Sequence, residues 1–338
     1  MKIQFAVLLS VVLAAAIGCG SKDQTTDANT NGGQAGEAKK LQIAVIPKGA
    51  THVYWKSVHA GALKAEKELG DVKVIWVGPV KEGDRQSQQD IVENFITKKV
   101  DGIVLAPLDA HSLVPSVDDA VAQKIPVVII DSGLEKKEYV SFVATDNYKG
   151  GKMAGEELAR LLNKKGKVIM LRYMVGSAST EERERGFMDA MKACPGIQVV
   201  SSNEHGEDTM ESAQKMSENI LGRYKQGAGL SIDGIFCPNE STCLGMLLAL
   251  KDAGVAGKVR YVGFDSSPTL LAALKNGEID GLILQDPVNM GYTGVKTLVA
   301  HIKGQKVNPS VDTGATLATK ANMDEPKVHN LLVPPIEE

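Results

Sequence analysis

From Leu41 onward, short runs of β-branched and aliphatic residues alternate with longer stretches in which apolar side chains recur every three or four positions. The short runs predict strands over 41–46, 73–77, 102–105, 126–130 and 139–143, and the longer stretches predict helices over about 54–69, 84–98 and 112–123. Pro126 ahead of VVII and Pro107 behind GIVLA mark a strand start and a strand end. A second series follows, with strands at 167–171, 197–201, 232–236, 259–263 and 279–284. Its helices fall at 147–163, 181–193, 209–223, 241–253 and 267–275, and a last helix, 290–302, ends near Gly304. Strand and helix in strict alternation are the signature of parallel βα units, so the fold class is α/β. Two series of similar length predict two similar lobes, although no sequence repeat proves a duplication.

The N-terminus breaks this pattern. Lys2, the apolar run Phe5 to Ile17 interrupted by Ser10, and the small residues Gly18, Cys19 and Gly20 form a secretory leader, too short to span a bilayer comfortably. The residues AAIGC resemble a bacterial lipobox, with Ala16 where leucine is usual, which implies cleavage before Cys19 and its lipidation. The alternative is an ordinary secreted protein in which Cys19 has no role. Ser21 to Lys40 holds no apolar residue larger than alanine and cannot bury enough surface to fold. It is expected to be a tether with a typical end-to-end distance of roughly 25 Å.

Composition narrows the functions. A formal charge of −3 without a basic run argues against nucleic acid. Three cysteines remain beyond Cys19, namely Cys194, Cys237 and Cys243; they form no metal spacing, and a Cys237–Cys243 bridge is possible in an oxidising compartment. The histidines are scattered, so neither a metal nor another cofactor is expected. No G-x-G-x-x-G follows a strand, and neither a Walker A sequence nor a G-x-S-x-G elbow occurs, which weighs against an enzyme.

The candidate chemistry collects just beyond the carboxyl ends of strands, where open α/β sheets bind ligands. Tyr54 and Trp55 stand together after the first strand, in a chain with only 2 Trp, 7 Tyr and 6 Phe. They either wall a ligand site or pack under the loop. Asp131 and Ser132 follow VVII, Asn239 and Glu240 follow GIFCP, Asp265 follows YVGF, and Gln285 follows GLIL. Any one of these could be a helix cap; their recurrence at one topological point is the stronger signal. Arg183 could bind two neighbouring oxygens through its guanidinium fork, or pair on the surface with Glu181, Glu182 or Glu184.

Taken in order, Tyr54-Trp55, VVIIDS at 127–132, ATDN at 144–147, RERGF at 183–187, GIFCPNE at 234–240, VGFDSSP at 262–268 and LQDPVNMG at 284–291 resemble the ribose-type periplasmic sugar-binding proteins. The resemblance spans about residues 41–320. It implies two Rossmann-like lobes with parallel sheets, joined by a three-segment hinge and closing on a monosaccharide. The implied division is 1–18 leader, 19–40 lipidated cysteine and tether, 41–145 plus about 286–315 first lobe, and 146–285 plus about 316–338 second lobe. It further implies delivery of the sugar to an ABC permease in the cytoplasmic membrane, a location in the cell envelope, and a monomer held to the membrane by its lipid.

By the same resemblance Tyr54 and Trp55 pack against one face of the sugar, Asp131, Arg183, Asn239, Asp265 and Gln285 bond its hydroxyls, and Asp146 and Asn147 belong to the hinge. His52 stands where ribose proteins have asparagine, and Ser132 where they have arginine. The segment 204–210 lacks the expected phenylalanine and offers His205 or Asp208 in its place. These departures put ribose itself in doubt and leave a hexose, another pentose or a polyol open. A sensory protein presenting its ligand to a chemoreceptor or sensor kinase would share every site residue.

Overall fold

The computed structural model describes residues 40–135 and 138–334. The expected leader, Cys19 and tether lie outside the described residues. The first series forms β1 (Leu41–Ile46), α1 (Val53–Leu69), β2 (Val72–Trp76), α2 (Arg85–Thr97), β3 (Gly102–Leu105), α3 (Val114–Ala122), β4 (Val127–Ile130) and β5 (Ser141–Ala144). The chain then crosses to α4 (Asn147–Leu161), β6 (Gly166–Met170), α5 (Ala178–Lys192), β7 (Ile197–Ser201) and α6 (Met210–Arg223). A small ribbon, β8 (Lys225–Gln226) and β9 (Gly229–Leu230), precedes β10 (Gly234–Phe236), α7 (Glu240–Asp252), β11 (Arg260–Phe264), α8 (Pro268–Asn276) and β12 (Gly281–Leu284). The chain returns through α9 (Pro287–Ile302) and β13 (Ser310–Asp312), then crosses a third time to β14 (Thr316–Thr319) and α10 (Pro326–Leu332).

Two six-stranded sheets result, ordered β2-β1-β3-β4-β5-β13 and β7-β6-β10-β11-β12-β14. Their strands read as unbroken apolar runs because both faces are covered: Ile43 and Val45 point to one core of the first lobe, Ala44 and Ile46 to the other. Within these two sheets every strand is parallel to its neighbours except β14, which runs antiparallel to β12; the separate β8–β9 ribbon is antiparallel. The reason is topological. β13 leaves the first sheet at the edge that faces the other lobe, so its continuation enters the second sheet from the carboxyl end and must run backwards.

Both lobes seat their strand-covering helices by the same device. Where α1 meets α9, a Cβ on Gly61 would lie 1.9 Å from the Val288 carbonyl oxygen, and one on Gly291 2.0 Å from that of Val58. Where α4 meets α5, a Cβ on Gly151 would lie 1.8 Å from the Arg183 oxygen, and one on Gly186 2.0 Å from that of Tyr148. Only glycine permits backbones this close. Helix starts are fixed by side-chain caps at Asp84, Asp146, Thr209, Asn239, Ser267 and Asp286. Cys194, Cys237 and Cys243 are free thiols, so the Cys237–Cys243 bridge is not formed; the Cys243 thiol lies 3.5 Å from the Cys237 carbonyl instead. Among the described residues no helix is long and apolar enough to cross a membrane.

Candidate functional site

The carboxyl ends of the two sheets face each other across a partly enclosed cavity. The first lobe contributes Lys48, His52, Tyr54, Trp55, Glu82 and Asp131 to its wall. The second contributes Tyr173, Arg183, Asn239, Glu240 and Asp265, with Ser177, Ser179 and Thr180 leading into α5. Gln285 stands at the crossover between β12 and α9.

Asp131 and Asp265 hold matching positions, each directly after the fourth strand of its series. Both adopt left-handed backbone angles, φ 65° and 68°, which side chains other than glycine rarely take and which concentrate at functional sites. The Asp131 N–H donates to Val143 O on β5 at 3.1 Å, and the Asp265 N–H to Ile283 O on β12 at 2.9 Å. This backbone turn aims each carboxylate into the cleft.

Asp131 pairs with the buried Lys48 ammonium at 2.9 Å and accepts the Tyr54 hydroxyl at 2.8 Å. Lys48 also reaches Ser177 and Ser179 of the other lobe, at 3.3 and 3.1 Å. Asp265 accepts from the Gln285 amide at 2.7 Å and from the Glu240 N–H at 3.1 Å, with the Arg183 guanidinium 3.9 Å away. Burial pushes its carboxyl above the usual range, against the opposing pull of Arg183. Arg183 is held on three sides: it donates to Asn147 Oδ1 at 2.8 Å and Pro238 O at 2.9 Å, and stacks 4.0 Å from the centre of the Phe264 ring.

Glu82 gathers three rings. It accepts from Trp55 Nε1 at 2.5 Å and from Tyr173 Oη at 2.5 Å, and pairs with His52 Nδ1 at 3.0 Å. Burial would raise its carboxyl, but His52 above all, then Tyr173 and Trp55, hold it down at about 2. Burial likewise opposes charge on His52, yet Glu82 outweighs it and lifts the imidazole to about 9. The site is therefore a set of matched charges linked across the cleft.

A profile of the periplasmic binding protein domain matches residues 43–306. The chain belongs to that family. It is similar to the D-ribose/D-allose-binding protein of Pseudomonas aeruginosa, 30% identical over 274 residues, which cover 79% of this chain and 84% of that one. Among solved structures it resembles a carbohydrate transporter solute-binding protein of Agrobacterium radiobacter in complex with D-arabinose. That likeness is 36% identity and a TM-score of 0.83, covering 88% of this chain and 100% of the other. An ABC transporter solute-binding protein of Agrobacterium vitis with bound D-fucose matches at 36% identity and a TM-score of 0.82, covering 86% and 99%.

Of the residues the periplasmic binding protein resemblance singles out, His52, Tyr54, Trp55, Asp131, Arg183, Asn239, Asp265 and Gln285 stand together in the cavity wall. Ser132 does not; its hydroxyl accepts the Ser179 N–H at 3.0 Å, joining the lobes behind the wall. Asp208 lies at the rim, where its carboxylate accepts the Gly83 N–H at 3.1 Å, and His205 pairs in a short bridge with Arg172. The segment 204–210 puts no residue in the cavity wall, whereas the ring of Tyr173, just past β6, does line it. Tyr54 and Trp55 stand edge to face at 88°, with centroids 4.9 Å apart, so only one of them can lie flat on a given face of a ligand ring.

Asp146 caps α4 and donates its N–H to Asp312 Oδ1 at 3.1 Å, while Thr145 Oγ1 donates to Gly314 O at 3.2 Å, so two crossovers are bonded side by side. Asn147 reaches from this point to Asp131 O at 3.3 Å and to Arg183. Lys48, Glu82, Tyr173 and Glu240 carry no role in the sequence resemblance. Lys48 and Tyr173 each lie just past the first strand of a series, a strand-end position that is itself a signal. Glu82 follows no strand directly, and its part is set by partners distant in the chain.

Proposed function

We propose that the protein is the non-catalytic, monomeric substrate-binding component of an ABC importer, capturing one monosaccharide between its lobes and presenting it to a permease in the cytoplasmic membrane. The observation that carries this is the convergence of rings, carboxylates, an amide and a guanidinium from both lobes on one small cavity. Hydroxyls both donate and accept, so a sugar is matched by a wall that alternates fixed donors with fixed acceptors. Rings supply cover for its apolar C–H face.

Closure by the hinge at Thr145–Asp146, Gln285–Asp286 and Thr313–Gly314 would bury the sugar and bring both lobes into one surface for the permease. The relatives with bound D-arabinose and D-fucose support a pentose or a 6-deoxyhexose as first candidates. Isothermal titration against D-arabinose, D-fucose, D-ribose, D-allose, xylitol and myo-inositol should show one of them binding in a 1:1 ratio at micromolar or tighter affinity. Binding of amino acids or nucleosides with none of these would overturn the proposal. Cys19 is assigned as the lipidated residue on its leader pattern, and an intact mass of membrane-extracted protein carrying no acyl groups would remove that assignment.

A further inference from the structure

Almost every charged group in the cavity wall already has a protein partner: Lys48 with Asp131, His52 with Glu82, Asp265 with Gln285, and Arg183 with Asn147 and Pro238. Glu240 differs. It is the first residue of α7, 6% exposed, and lines the cavity, yet its Oε2 is buried with no hydrogen-bond partner. A buried carboxyl oxygen left alone is costly, more so if charged.

Its neighbours oppose charge. Asp265 sits against it, bonded to its own N–H, and Glu82 faces it from the other lobe. His52 is the nearest group that favours ionisation, but its charge is already matched by Glu82 at 3.0 Å. Tyr54 presents a backbone amide at the start of α1, and Asp131, Lys48 and Arg183 complete the charged wall.

We propose that Glu240 binds the ligand as the neutral carboxylic acid, its carboxyl O–H donating a hydrogen bond to a ligand oxygen, so that capture draws one proton from solvent. The inference rests on the sugar-binding function above. Burial first, then the charges of Asp265 and Glu82, push this carboxyl to about 7 in the closed form. In an opened cleft the same group meets water and ionises at its ordinary value. The His52–Glu82 pair lies within the first lobe, so its 3.0 Å contact does not require the second lobe.

The test is titration of the full mature protein with D-arabinose and D-fucose at pH 6, 7 and 8, in buffers of different ionisation enthalpy. Wild type should bind roughly tenfold more weakly at pH 8 than at pH 6 and take up a proton on binding. Glu240→Gln keeps a donor at the same place, so it should hold the pH 6 affinity to within about threefold and lose the pH dependence. Glu240→Ala should bind at least tenfold more weakly at pH 6. Affinity that is flat or rises with pH, or a Glu240→Gln variant that no longer binds while its melting temperature is unchanged, would overturn the inference alone. Failure of every sugar tested to bind wild type at any pH would overturn the sugar function and this inference with it.

Discussion

Asp131 and Asp265 occupy the same place in their respective lobes, with the same left-handed backbone and the same bond to the neighbouring strand, yet they keep different company. Asp131 has a full counter-charge in Lys48 at 2.9 Å and a tyrosine hydroxyl; Asp265 has an amide, a backbone N–H and a guanidinium set back at 3.9 Å. Duplicated architecture thus places two carboxylates across from one another, and the side chains around them decide how each behaves. The first wall is internally neutralised. The second retains acid and amide groups whose bonds are weaker or unfilled, and so it is the wall on which ligand identity should depend.

The largest expected effect breaks the pairing in the first wall. Lys48→Met should cost about 3 kcal/mol in chemical denaturation of the sugar-free protein, because a buried carboxylate loses its partner, and adding Asp131→Asn should recover most of that loss. Gln285→Leu beside Asp265 should cost only about 1 kcal/mol, since a neutral donor is lost. Equal losses at the two positions would remove the contrast.

Next comes pH. The His52 imidazole is lifted to about 9 in the folded protein, so its stabilisation is fully present below its ordinary 6.5 and is lost as pH rises through 9. In a Glu240→Gln background, stability between pH 6.5 and 9.5 should fall by about 2 kcal/mol more than in the same background carrying His52→Gln as well, the difference isolating the imidazole from the other titrating groups. The smallest effect sharpens what the two aspartates share. Alanine should be about 1 kcal/mol worse than asparagine at both 131 and 265, because asparagine tolerates the left-handed backbone.

Much of the fold was legible because burial on both sheet faces leaves continuous apolar runs such as VVII and GIVL, and these survive in any context. The elements missed are the β8–β9 ribbon, β13, β14 and α10. Ser310–Asp312 offers only Val311 to the core, too short an apolar signal to read as a strand, and is held by its pairing with β5. In the site, Tyr54, Asp131, Arg183 and Asp265 were legible from strand-end position and motif. Glu82 was not, because a lone carboxylate in a loop takes its meaning from His52, Trp55 and Tyr173, dozens of residues away. Ser132 and Asp208 show the converse: placed correctly near the cleft, they bond across it to Ser179 and Gly83 rather than facing the cavity.

The three crossovers also govern the order in which the molecule can be finished. The helix that covers the first sheet and the strand that closes its edge are encoded after nearly all of the second lobe, so Gly61 waits for Val288 and Val58 waits for Gly291. Loops this long close at an entropic cost that is recovered only once the late partners arrive. A ribosome therefore releases most of this chain before the first lobe can lock, whereas the helix pair of the second lobe, with Gly151 on Arg183 and Gly186 on Tyr148, is complete by residue 192.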